Sequence, residues 1–252
     1  MKTGYDFSGK YVWVTGAGKG IGYHTALAFH QSGAYVIGLD RAFPYNIYPY
    51  RIETINISDA QQVNQVCQHL IRETQCLDVL VNAAGILHTD VTEQLDIKNW
   101  QETFDVNVSG AFYLFQQTIP LFRQQCSGAI VTITSDAAYI PRIGMSAYGA
   151  SKAALKSLAQ TVGLELAQYG VRCNIVSPGS TNTDMQRGMW MVPDAEQQRI
   201  EGNAQKFKLG IPLGKIAQPQ EIAITILFLA SEQASHITLQ DITIDGGSSL
   251  GR

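Results

Sequence analysis

Concentrated positive charge is missing from this sequence of 252 residues. Lysine and arginine number 18, aspartate and glutamate number 21, and the net charge is −3 with a pI of about 5.9. The basic residues form no runs, so the surface expected of a nucleic-acid-binding protein is excluded. A small anionic ligand needs only one or two local cations and stays compatible with this composition.

Regular cysteine and histidine spacings are also absent. The four cysteines include no CxxC pair, and no two of the five histidines stand four residues apart: Cys67, Cys76, Cys126, Cys173, His24, His30, His69, His88 and His236. Disulfide frameworks and zinc sites depend on such spacings, so we expect reduced thiols and no metal.

Long hydrophobic runs are missing as well. Although 45% of the residues are hydrophobic, no stretch of about 18 uninterrupted apolar residues occurs, so no membrane-spanning helix is predicted. Residues 1–10 contain Asp6 and too short an apolar run for a signal peptide. We expect a soluble protein of the cytoplasm that has no membrane partner.

Short apolar runs alternate with helical stretches along the chain. The predicted strands are residues 11–15, 34–39, 52–57, 77–81, 129–134, 172–176 and 241–244, and the predicted helices are 21–32, 60–75, 99–123, 150–169 and 219–230. Strands that are apolar almost throughout are typical of a parallel sheet covered by helices on both faces. The sequence therefore predicts one α/β domain over residues 1–252, with a Rossmann-like, doubly wound parallel sheet.

Residues 41–50 interrupt this alternation. They contain Pro44 and Pro49 at the point where a helix would connect the second and third strands. Because proline disfavours helix there, we predict a loop crossover.

A glycine-rich turn connects the first strand to the first helix. Residues 15–22 read TGAGKGIG, and glycines in such a turn let the backbone approach a pyrophosphate at the helix start. Glycine also occurs in turns that bind nothing, so the cluster alone is weak evidence. Asp40 strengthens it, because a carboxylate at the end of the second strand can bind the adenosine ribose hydroxyls of a dinucleotide.

The charges near Asp40 bear on which dinucleotide is favoured. The carboxylate repels the 2′-phosphate of NADP and excludes it sterically when bonded to the ribose, whereas Lys19 and Arg41 would attract it. We weigh the carboxylate more heavily and predict NAD. The cofactor contacts predicted in this part of the chain are Gly16, Gly18, Lys19, Gly20, Ile21, Asp40 and Arg41.

Tyr148 and Lys152 have the YxxxK spacing, which brings both side chains to one face of a helix. A tyrosine with its ordinary pKa of about 10 is a weak base at neutral pH. A cation one turn away, together with a positively charged nicotinamide, would stabilise the phenolate and bring its pKa into the working range. The spacing is also common by chance, with the tyrosine in the core and the lysine at the surface.

Six motifs follow one another in a fixed order. They are TGAGKGIG (15–22), NAAG (82–85), Asn107 in VNVSG, Ser135 in TSDAA, Tyr148 with Lys152, and PGSTNTDM (178–185). In these motifs the sequence resembles the short-chain dehydrogenase/reductase family over its entire length. The family's usual NNAG is NAAG here, with the first asparagine kept.

That resemblance implies catalytic roles. Tyr148 would be the general acid and base, and Ser135 would hold the substrate oxygen. Lys152 would lower the pKa of Tyr148 and bind the nicotinamide ribose, while Asn107 would hold a water that relays protons to Lys152. A structural bridge between helix and strand is the alternative role of Asn107.

The resemblance also implies further contacts to the cofactor. The adenosine side would be lined by Asn82, Ala83 and Gly85, with Asp59 against the adenine, and the carboxamide end of the nicotinamide would lie against Pro178, Gly179, Thr181 and Thr183. Asp59 directly precedes a predicted helix, so an N-cap is its alternative role.

Four longer stretches, at residues 135–159, 170–187, 207–223 and 234–247, resemble a branch of the family that acts in catechol siderophore biosynthesis. They imply a carboxylated cyclohexadiene diol as substrate: hydride would pass from C3 to NAD+, and the resulting ketone would tautomerise to a catechol. Other siderophore-pathway enzymes are then possible partners. The shared motifs leave open a 3-oxoacyl-carrier-protein reductase or another ketone/alcohol reductase, and a dinucleotide-sensing scaffold is the non-enzyme alternative.

A carboxylated substrate requires a cation. Arg142, in the loop between Ser135 and Tyr148, is predicted to bind the carboxylate bidentately, with a solvated surface arginine as the alternative. Met145 and Met185 are predicted to give the substrate pocket adaptable apolar walls. The resemblance further implies a homotetramer, formed through the helices that carry Asn107 and Tyr148 and through the C-terminal strand.

Overall fold

Seven parallel strands form the central sheet of the computed structural model, which describes residues 4–190 and 192–251. The strands of the chain are β1 (Tyr11–Thr15), β2 (Tyr35–Asp40), β3 (Arg51–Thr54), β4 (Val79–Asn82), β5 (Gly128–Ile133), β6 (Val171–Pro178), β7 (Gly202–Asn203), β8 (Lys208–Leu209) and β9 (Asp241–Ile244). The sheet has the order β3-β2-β1-β4-β5-β6-β9, while β7 and β8 form a separate antiparallel ribbon. All seven predicted strands are confirmed, with ends that differ by a few residues.

Helices flank this sheet in the alternation that the sequence predicted. They are α1 (Gly20–Gln31), α2 (Ala60–Thr74), α3 (Ile97–Phe104), α4 (Gly110–Gln125), α5 (Ser146–Ala167), α6 (Asp184–Arg187), α7 (Ala195–Glu201) and α8 (Pro219–Ala230). The predicted α/β fold with a doubly wound parallel sheet is confirmed. Within residues 4–190 and 192–251, no helix is both long and apolar enough to cross a membrane.

Two apolar layers cover the faces of the sheet. Val12 and Val14 of β1 join one layer with Phe29 of α1, and Trp13 joins the other with Leu70 of α2. Successive residues of a strand point to opposite faces, so a strand that is covered on both sides must be apolar at every position. This explains why the strands read as continuous hydrophobic runs.

The sheet reverses its winding between β1 and β4. These two strands are neighbours, with β2 and β3 on one side of them and β5, β6 and β9 on the other. In an open parallel sheet, a crevice forms beyond the carboxyl ends of the strands at such a reversal. The glycine-rich turn after β1 and the NAAG motif after β4 meet at this crevice.

The helix predicted over residues 99–123 is divided in the structure. α3 ends at Phe104, and one π turn over Asp105–Ser109 precedes α4. The turn carries Asn107, whose Oδ1 accepts a hydrogen bond from the Ile86 N–H at 2.8 Å and whose Nδ2 donates to the Ile86 carbonyl at 3.0 Å. We attribute the turn to this tertiary contact, which helical periodicity in the sequence does not register.

Residues 41–50 form a loop, as predicted from their prolines. The Tyr48 hydroxyl donates a 2.8 Å hydrogen bond to the Gly18 carbonyl, and the Tyr50 hydroxyl donates one of 2.8 Å to the Ala17 carbonyl. The crossover loop therefore supports the glycine-rich turn directly.

Candidate active site

The turn between β1 and α1 requires glycine at two positions. Gly16 has a φ of +68°, and a Cβ there would lie 2.9 Å from the Ala83 carbonyl oxygen. A Cβ at Gly18 would lie 2.1 Å from the Ala42 carbonyl oxygen. The turn thus approaches the loops after β4 and β2 more closely than a side chain would allow.

Asp40, the last residue of β2, fixes the same turn. Its Oδ2 accepts a 2.8 Å hydrogen bond from the Gly18 N–H, and its Oδ1 accepts one of 3.3 Å from the Ala42 N–H. The carboxylate also lines the cleft beside the turn, next to the exposed Arg41. Asp40 therefore contributes both to the shape of the cleft and to its charge.

A cleft of about 440 Å³ opens at the carboxyl ends of β1, β2 and β4. It fits a dinucleotide, because the glycine turn and the N-terminus of α1 border it and backbone N–H groups there favour phosphates. The predicted cofactor residues that line it are Gly16, Lys19, Gly20, Ile21, Asp40, Arg41, Ala83, Gly85 and Thr183. Residues that the sequence analysis missed also line it, namely Asn56, Ile57, His88 and Glu102.

Among the contacts predicted in the glycine turn and on the adenosine side, Gly18, Asp59 and Asn82 do not line this cleft. Asp59 caps α2, where its Oδ1 accepts hydrogen bonds from the Gln61 and Gln62 N–H groups at 2.9 and 3.1 Å. Asn82 is buried, and its Nδ2 donates to the Thr132 Oγ1 at 3.4 Å, which ties β4 to β5. The structure therefore shows the N-cap role that was the alternative for Asp59.

A second cavity, of about 150 Å³, adjoins the cleft. The residues that line both spaces are Ile21, Ala83, Gly85, Leu87, Thr183 and Met185. The predicted residues that line the second cavity, which we call the substrate cavity, are Ser135, Arg142, Met145, Tyr148, Lys152, Pro178, Gly179, Thr181, Thr183 and Met185. Three of the four predicted catalytic residues, Ser135, Tyr148 and Lys152, therefore lie in one cavity beside the cleft.

Ser135 and Tyr148 approach each other from different elements, Ser135 just beyond β5 and Tyr148 in the first turn of α5. Burial raises the pKa of Tyr148 to about 12, and a hydrogen bond with Ser135 opposes this rise. The direction is opposite to the lowering expected from Lys152. The groups of the protein itself therefore keep Tyr148 protonated at neutral pH. The positive charge of the nicotinamide, which was also expected to lower this pKa, is present only when the cofactor is bound.

Lys152 is one helical turn beyond Tyr148 and is almost completely buried. Its Nζ donates a 3.0 Å hydrogen bond to the Ile133 carbonyl and lies 5.7 Å from the centre of the Tyr148 ring. Burial lowers the pKa of Lys152 to about 8. Within the described part of the chain, no carboxylate forms an ion pair with it.

Asn107 bridges the π turn to two other segments. Besides its two bonds to Ile86, it donates from Nδ2 to the Ser151 Oγ at 3.0 Å. A Cβ added at Gly85 would lie 3.2 Å from Asn107 Oδ1 and 3.3 Å from Lys152 Nζ. The structural bridge is therefore present, and Asn107 and Lys152 also face the same space beside Gly85.

Asp136 is a residue of this site that the sequence analysis missed. Its Oδ1 accepts a 3.1 Å hydrogen bond from the Ser135 Oγ, and its Oδ2 accepts one of 2.7 Å from the Arg142 Nη2. The side chains of Asp136 and Arg142 are each only 12% exposed. Its position directly after Ser135, at the end of a strand, was the signal that would have pointed to it.

Two further cations that the sequence analysis missed line the substrate cavity, Arg199 from α7 and Lys208 from β8. Burial lowers the pKa of Arg199, and the charge of Arg142 lowers it further. Burial also lowers the pKa of Lys208 to about 8, with the charges of Arg199 and Arg142 acting in the same direction. Lys208 lies in the stretch 207–223 that carries the resemblance to the siderophore branch, but nothing in that stretch marked it as a site residue, and Arg199 lies in none of the four stretches.

This arrangement suits proton transfer at a hydroxyl or carbonyl group. A tyrosine hydroxyl and a serine hydroxyl meet in a cavity beside the cleft, and cations line the same cavity. Such a site can exchange a proton with a substrate oxygen while a neighbouring cofactor accepts or donates a hydride.

The comparisons with known proteins agree with this geometry. A family model described as "Enoyl-(Acyl carrier protein) reductase" matches residues 16–249. The chain belongs to the short-chain dehydrogenase/reductase family. Members of this family are oxidoreductases that use a nicotinamide dinucleotide.

Relatives in the short-chain dehydrogenase/reductase family are similar over nearly their whole length. The 2,3-dihydro-2,3-dihydroxybenzoate dehydrogenase of Escherichia coli (strain K12) is 69% identical over 246 residues, covering 98% of this chain and 99% of that protein. The protein of the same name from Bacillus subtilis (strain 168) is 39% identical over 259 residues, covering 96% and 97%. The ligand-free structure of Thermoplasma acidophilum aldohexose dehydrogenase matches with a TM-score of 0.87 at 32% identity, covering 96% and 95%.

Proposed function

We propose that this chain oxidises 2,3-dihydro-2,3-dihydroxybenzoate to 2,3-dihydroxybenzoate with NAD+, as a step of catechol siderophore biosynthesis. One observation carries the proposal: the Ser135 and Tyr148 hydroxyls share a cavity of about 150 Å³ with several cations, beside the nucleotide cleft. A cyclic hydroxy acid presents an alcohol to the hydroxyl pair and a carboxylate to the cations. The name of the Escherichia coli relative, at 69% identity, supports the same substrate.

The proposed reaction begins at the C3 hydroxyl of the substrate. Ser135 holds the oxygen by a hydrogen bond while the phenolate form of Tyr148 accepts the hydroxyl proton, and the C3 hydrogen departs with both electrons of its bond. When bound, the oxidised nicotinamide supplies the hydride acceptor and a positive charge. The ketone that remains is an isomer of the aromatic catechol, and its tautomerisation draws the reaction towards oxidation.

Lys152 has two parts in this mechanism. Its ammonium group, held by the Ile133 carbonyl at 3.0 Å, is proposed to favour the phenolate form of Tyr148 when the cofactor is bound. We also assign it the hydrogen bond to the nicotinamide ribose. Asn107 faces the same space beside Gly85 and is proposed to hold the water that relays the proton to Lys152.

NAD is the proposed cofactor rather than NADP. The Asp40 carboxylate lines the cleft and repels a ribose 2′-phosphate. The competing attraction from Lys19 is weakened, because its ammonium lies 3.9 Å from the Asp184 carboxylate. The proposed carboxamide contacts are Pro178, Gly179, Thr181 and Thr183, which line the substrate cavity next to the cleft.

Arg142 is proposed to contact the substrate carboxylate. One of its N–H groups is bonded to Asp136, and a guanidinium has five N–H donors, so others remain for a ligand. Met145 and Met185 are proposed as the adaptable apolar walls against the ring, since both line the same cavity.

We further propose that the protein is a homotetramer of the cytoplasm, assembled through α4, α5 and β9. Large apolar side chains are exposed on these helices, with Phe112 of α4 at 43% and Leu164 of α5 at 69% exposure. Such residues are typical of buried contacts between subunits. Light scattering on the purified protein measures the assembly, and a monomer would contradict it.

An assay of NADH formation tests the proposed reaction. The panel has three substrates, each tested with both dinucleotides. They are 2,3-dihydro-2,3-dihydroxybenzoate, which we call the dihydrodiol acid, an acyl-thioester substrate of 3-oxoacyl-carrier-protein reductases, and a simple secondary alcohol. We expect efficient turnover only with the dihydrodiol acid and NAD+. Preferential turnover of the thioester with NADPH would identify a reductase of that type instead, and cofactor binding without any turnover would identify a dinucleotide sensor.

A further inference from the structure

The substrate cavity holds more positive charge than its one carboxylate can balance. Apart from Lys152, three cations line it, Arg142, Arg199 and Lys208, against the carboxylate of Asp136. Asp136 is bonded to Arg142 at 2.7 Å, so this pair is neutral as a unit. Besides that of Lys152, the uncompensated charge therefore belongs to Arg199 and Lys208.

Arg199 and Lys208 lack acidic partners of their own. Across residues 4–190 and 192–251, no ion pair includes either side chain. The polar contact found for Arg199 is a weak one, from its Nη2 to the Met189 Sδ at 3.9 Å. Partly buried charges without a partner are costly, and an anionic ligand between them removes that cost.

The local backbone explains why these two cations face one cavity. α7 ends at Glu201, and the β7–β8 ribbon then folds back so that the Ile211 N–H donates a 2.7 Å hydrogen bond to the Ile200 carbonyl. Gly202 has a φ of +89°, and a Cβ there would lie 2.5 Å from the Gly210 nitrogen. This close approach returns Lys208 to the cavity that Arg199 already borders.

We propose that Arg199 and Lys208 are the principal anchor for the substrate carboxylate, and that they select ring substrates carrying a carboxylate over neutral ones. Arg142 then contributes less to carboxylate binding, because its charge is largely balanced by Asp136. The identity of the acid rests on the proposed function, whereas the anchor itself would hold any small cyclic carboxylate that fits the cavity. The lowered pKa values of Arg199 and Lys208 agree with a site that becomes more favourable when an anion enters.

Binding measurements on the NADH-loaded enzyme test the anchor without relying on turnover. The probes are 2,3-dihydroxybenzoate and catechol, which differ only by the carboxylate. Arg199→Met and Lys208→Met should each weaken 2,3-dihydroxybenzoate binding by about tenfold or more, the loss expected for a shielded charge pair. Catechol binding should change by less than about twofold, since no charge pair is involved.

The matched control removes the same charge nearby. Lys206→Met changes an exposed lysine of the same segment that does not line the substrate cavity, and it should leave both affinities unchanged. Arg199→Lys and Lys208→Arg should restore part of the affinity, which a merely misfolded site would not. Equal losses with both probes, or a Lys206→Met effect as large as the others, would overturn the proposal.

The outcomes separate this inference from the proposed function. If the wild-type protein prefers 2,3-dihydroxybenzoate to catechol through these two residues yet fails to oxidise the dihydrodiol acid, the anchor stands and the proposed substrate falls. If the acid is oxidised and the two methionine variants keep the wild-type KM and binding preference, the anchor falls and the proposed substrate stands.

Discussion

Asp136 Oδ2 lies 2.7 Å from Arg142 Nη2, while the other oxygen of the same carboxylate accepts a hydrogen bond from Ser135. The residue proposed to hold the substrate oxygen and a residue proposed to contact the substrate acid are thus joined through one carboxylate. Both members of the ion pair are largely buried, so removing one leaves an uncompensated charge on the other. Substitutions at Arg142 therefore act partly through Asp136.

Arg142→Ala should raise the KM for the dihydrodiol acid by about ten- to a hundredfold, because a charge-assisted contact is lost and the freed Asp136 carboxylate repels the substrate. Arg142→Lys should recover only part of the loss, since an ammonium lacks the planar fork. The affinity for NAD+ should barely change. Initial-rate kinetics and a cofactor titration measure both quantities.

The double variant Asp136→Asn/Arg142→Ala isolates the repulsion between the Asp136 carboxylate and the substrate carboxylate. It should regain part of the KM that Arg142→Ala loses, because the unpaired carboxylate is gone. A neutral cyclohexadienol serves as the control, and its turnover should be little affected by Arg142→Ala. Equal losses on the acid and on the neutral alcohol would mean that Arg142 supports the loop and does not contact the acid.

Tyr148→Phe should abolish turnover and leave NAD+ binding nearly intact, because only the hydroxyl that exchanges the proton is removed. Steady-state rates and the NAD+ dissociation constant measure the two effects. A variant that keeps more than a few per cent of the wild-type rate would remove Tyr148 from the mechanism.

Lys152→Met should lose turnover and cofactor affinity but gain stability. Burial lowers the Lys152 pKa from 10.5 to about 8, which corresponds to an unfavourable contribution of about 3 kcal/mol to the folded state at pH 7. After allowing for the lost hydrogen bond to Ile133, we expect the free energy of unfolding to rise by about 1–3 kcal/mol. Urea denaturation at pH 7 measures this change.

The gain in stability of Lys152→Met should depend on pH, because burial lowers the pKa of Lys152 in the folded state. The folded-state pKa is lower than the unfolded one, so the wild-type penalty is complete below about pH 8 and fades as the pH rises towards 10.5. The advantage of Lys152→Met should therefore shrink when the denaturation is repeated at high pH. A variant less stable than the wild type at pH 7 would contradict this account.

Asp40→Asn separates the support that this side chain gives the glycine turn from the effect of its charge on the choice of dinucleotide. The amide oxygen can still accept the Gly18 N–H bond, whereas the charge is gone, so NADP+ should gain relative to NAD+ in kcat/KM. Asp40→Ala removes the support of the turn as well and should weaken both dinucleotides. A wild-type enzyme that already prefers NADP+ would show that the charge of Asp40 does not control the choice.

Binding of the acid should weaken above about pH 8. Lys208, with its pKa lowered to about 8 by burial and by Arg199, Arg142 and Lys206, loses its charge there, while Asp136 opposes the shift. Carboxylate binding favours the charged lysine, so affinity is full below that pH and declines above it. Lys208→Arg should keep the low KM at high pH, and an identical rise of KM in both proteins would assign the effect to another group.

The order of strand, turn and helix was predictable because each element depends on neighbouring residues. The glycine turn, Asp40 at the end of β2, and the positions of Ser135 and Tyr148 follow from local patterns, and the structure brings the last two into one cavity. The proline-rich crossover loop was predictable for the same reason, since Pro44 restricts its own backbone and that of its neighbour.

Contacts between distant segments were not predictable from such patterns. The π turn at Asn107 depends on the Ile86 backbone, and the N-cap role of Asp59 could be distinguished from a cofactor contact only by its surroundings. Arg199 and Lys208 belong to a helix and a ribbon whose relative arrangement is decided by close backbone packing at Gly202. Nothing in their spacing connects them to Ser135.

Two of the three phenol groups of the crossover loop bear on how cofactor preference can change between family members. Tyr48 and Tyr50 hold the carbonyls of Gly18 and Ala17, and burial raises the Tyr50 pKa so that its hydroxyl remains a donor at every physiological pH. The shape of the phosphate-binding backbone is therefore specified partly outside the glycine motif. Exchanging residues 41–50 with the equivalent segment of another family member would alter the nucleotide cleft even with every glycine and Asp40 unchanged, so loop and turn must diversify together.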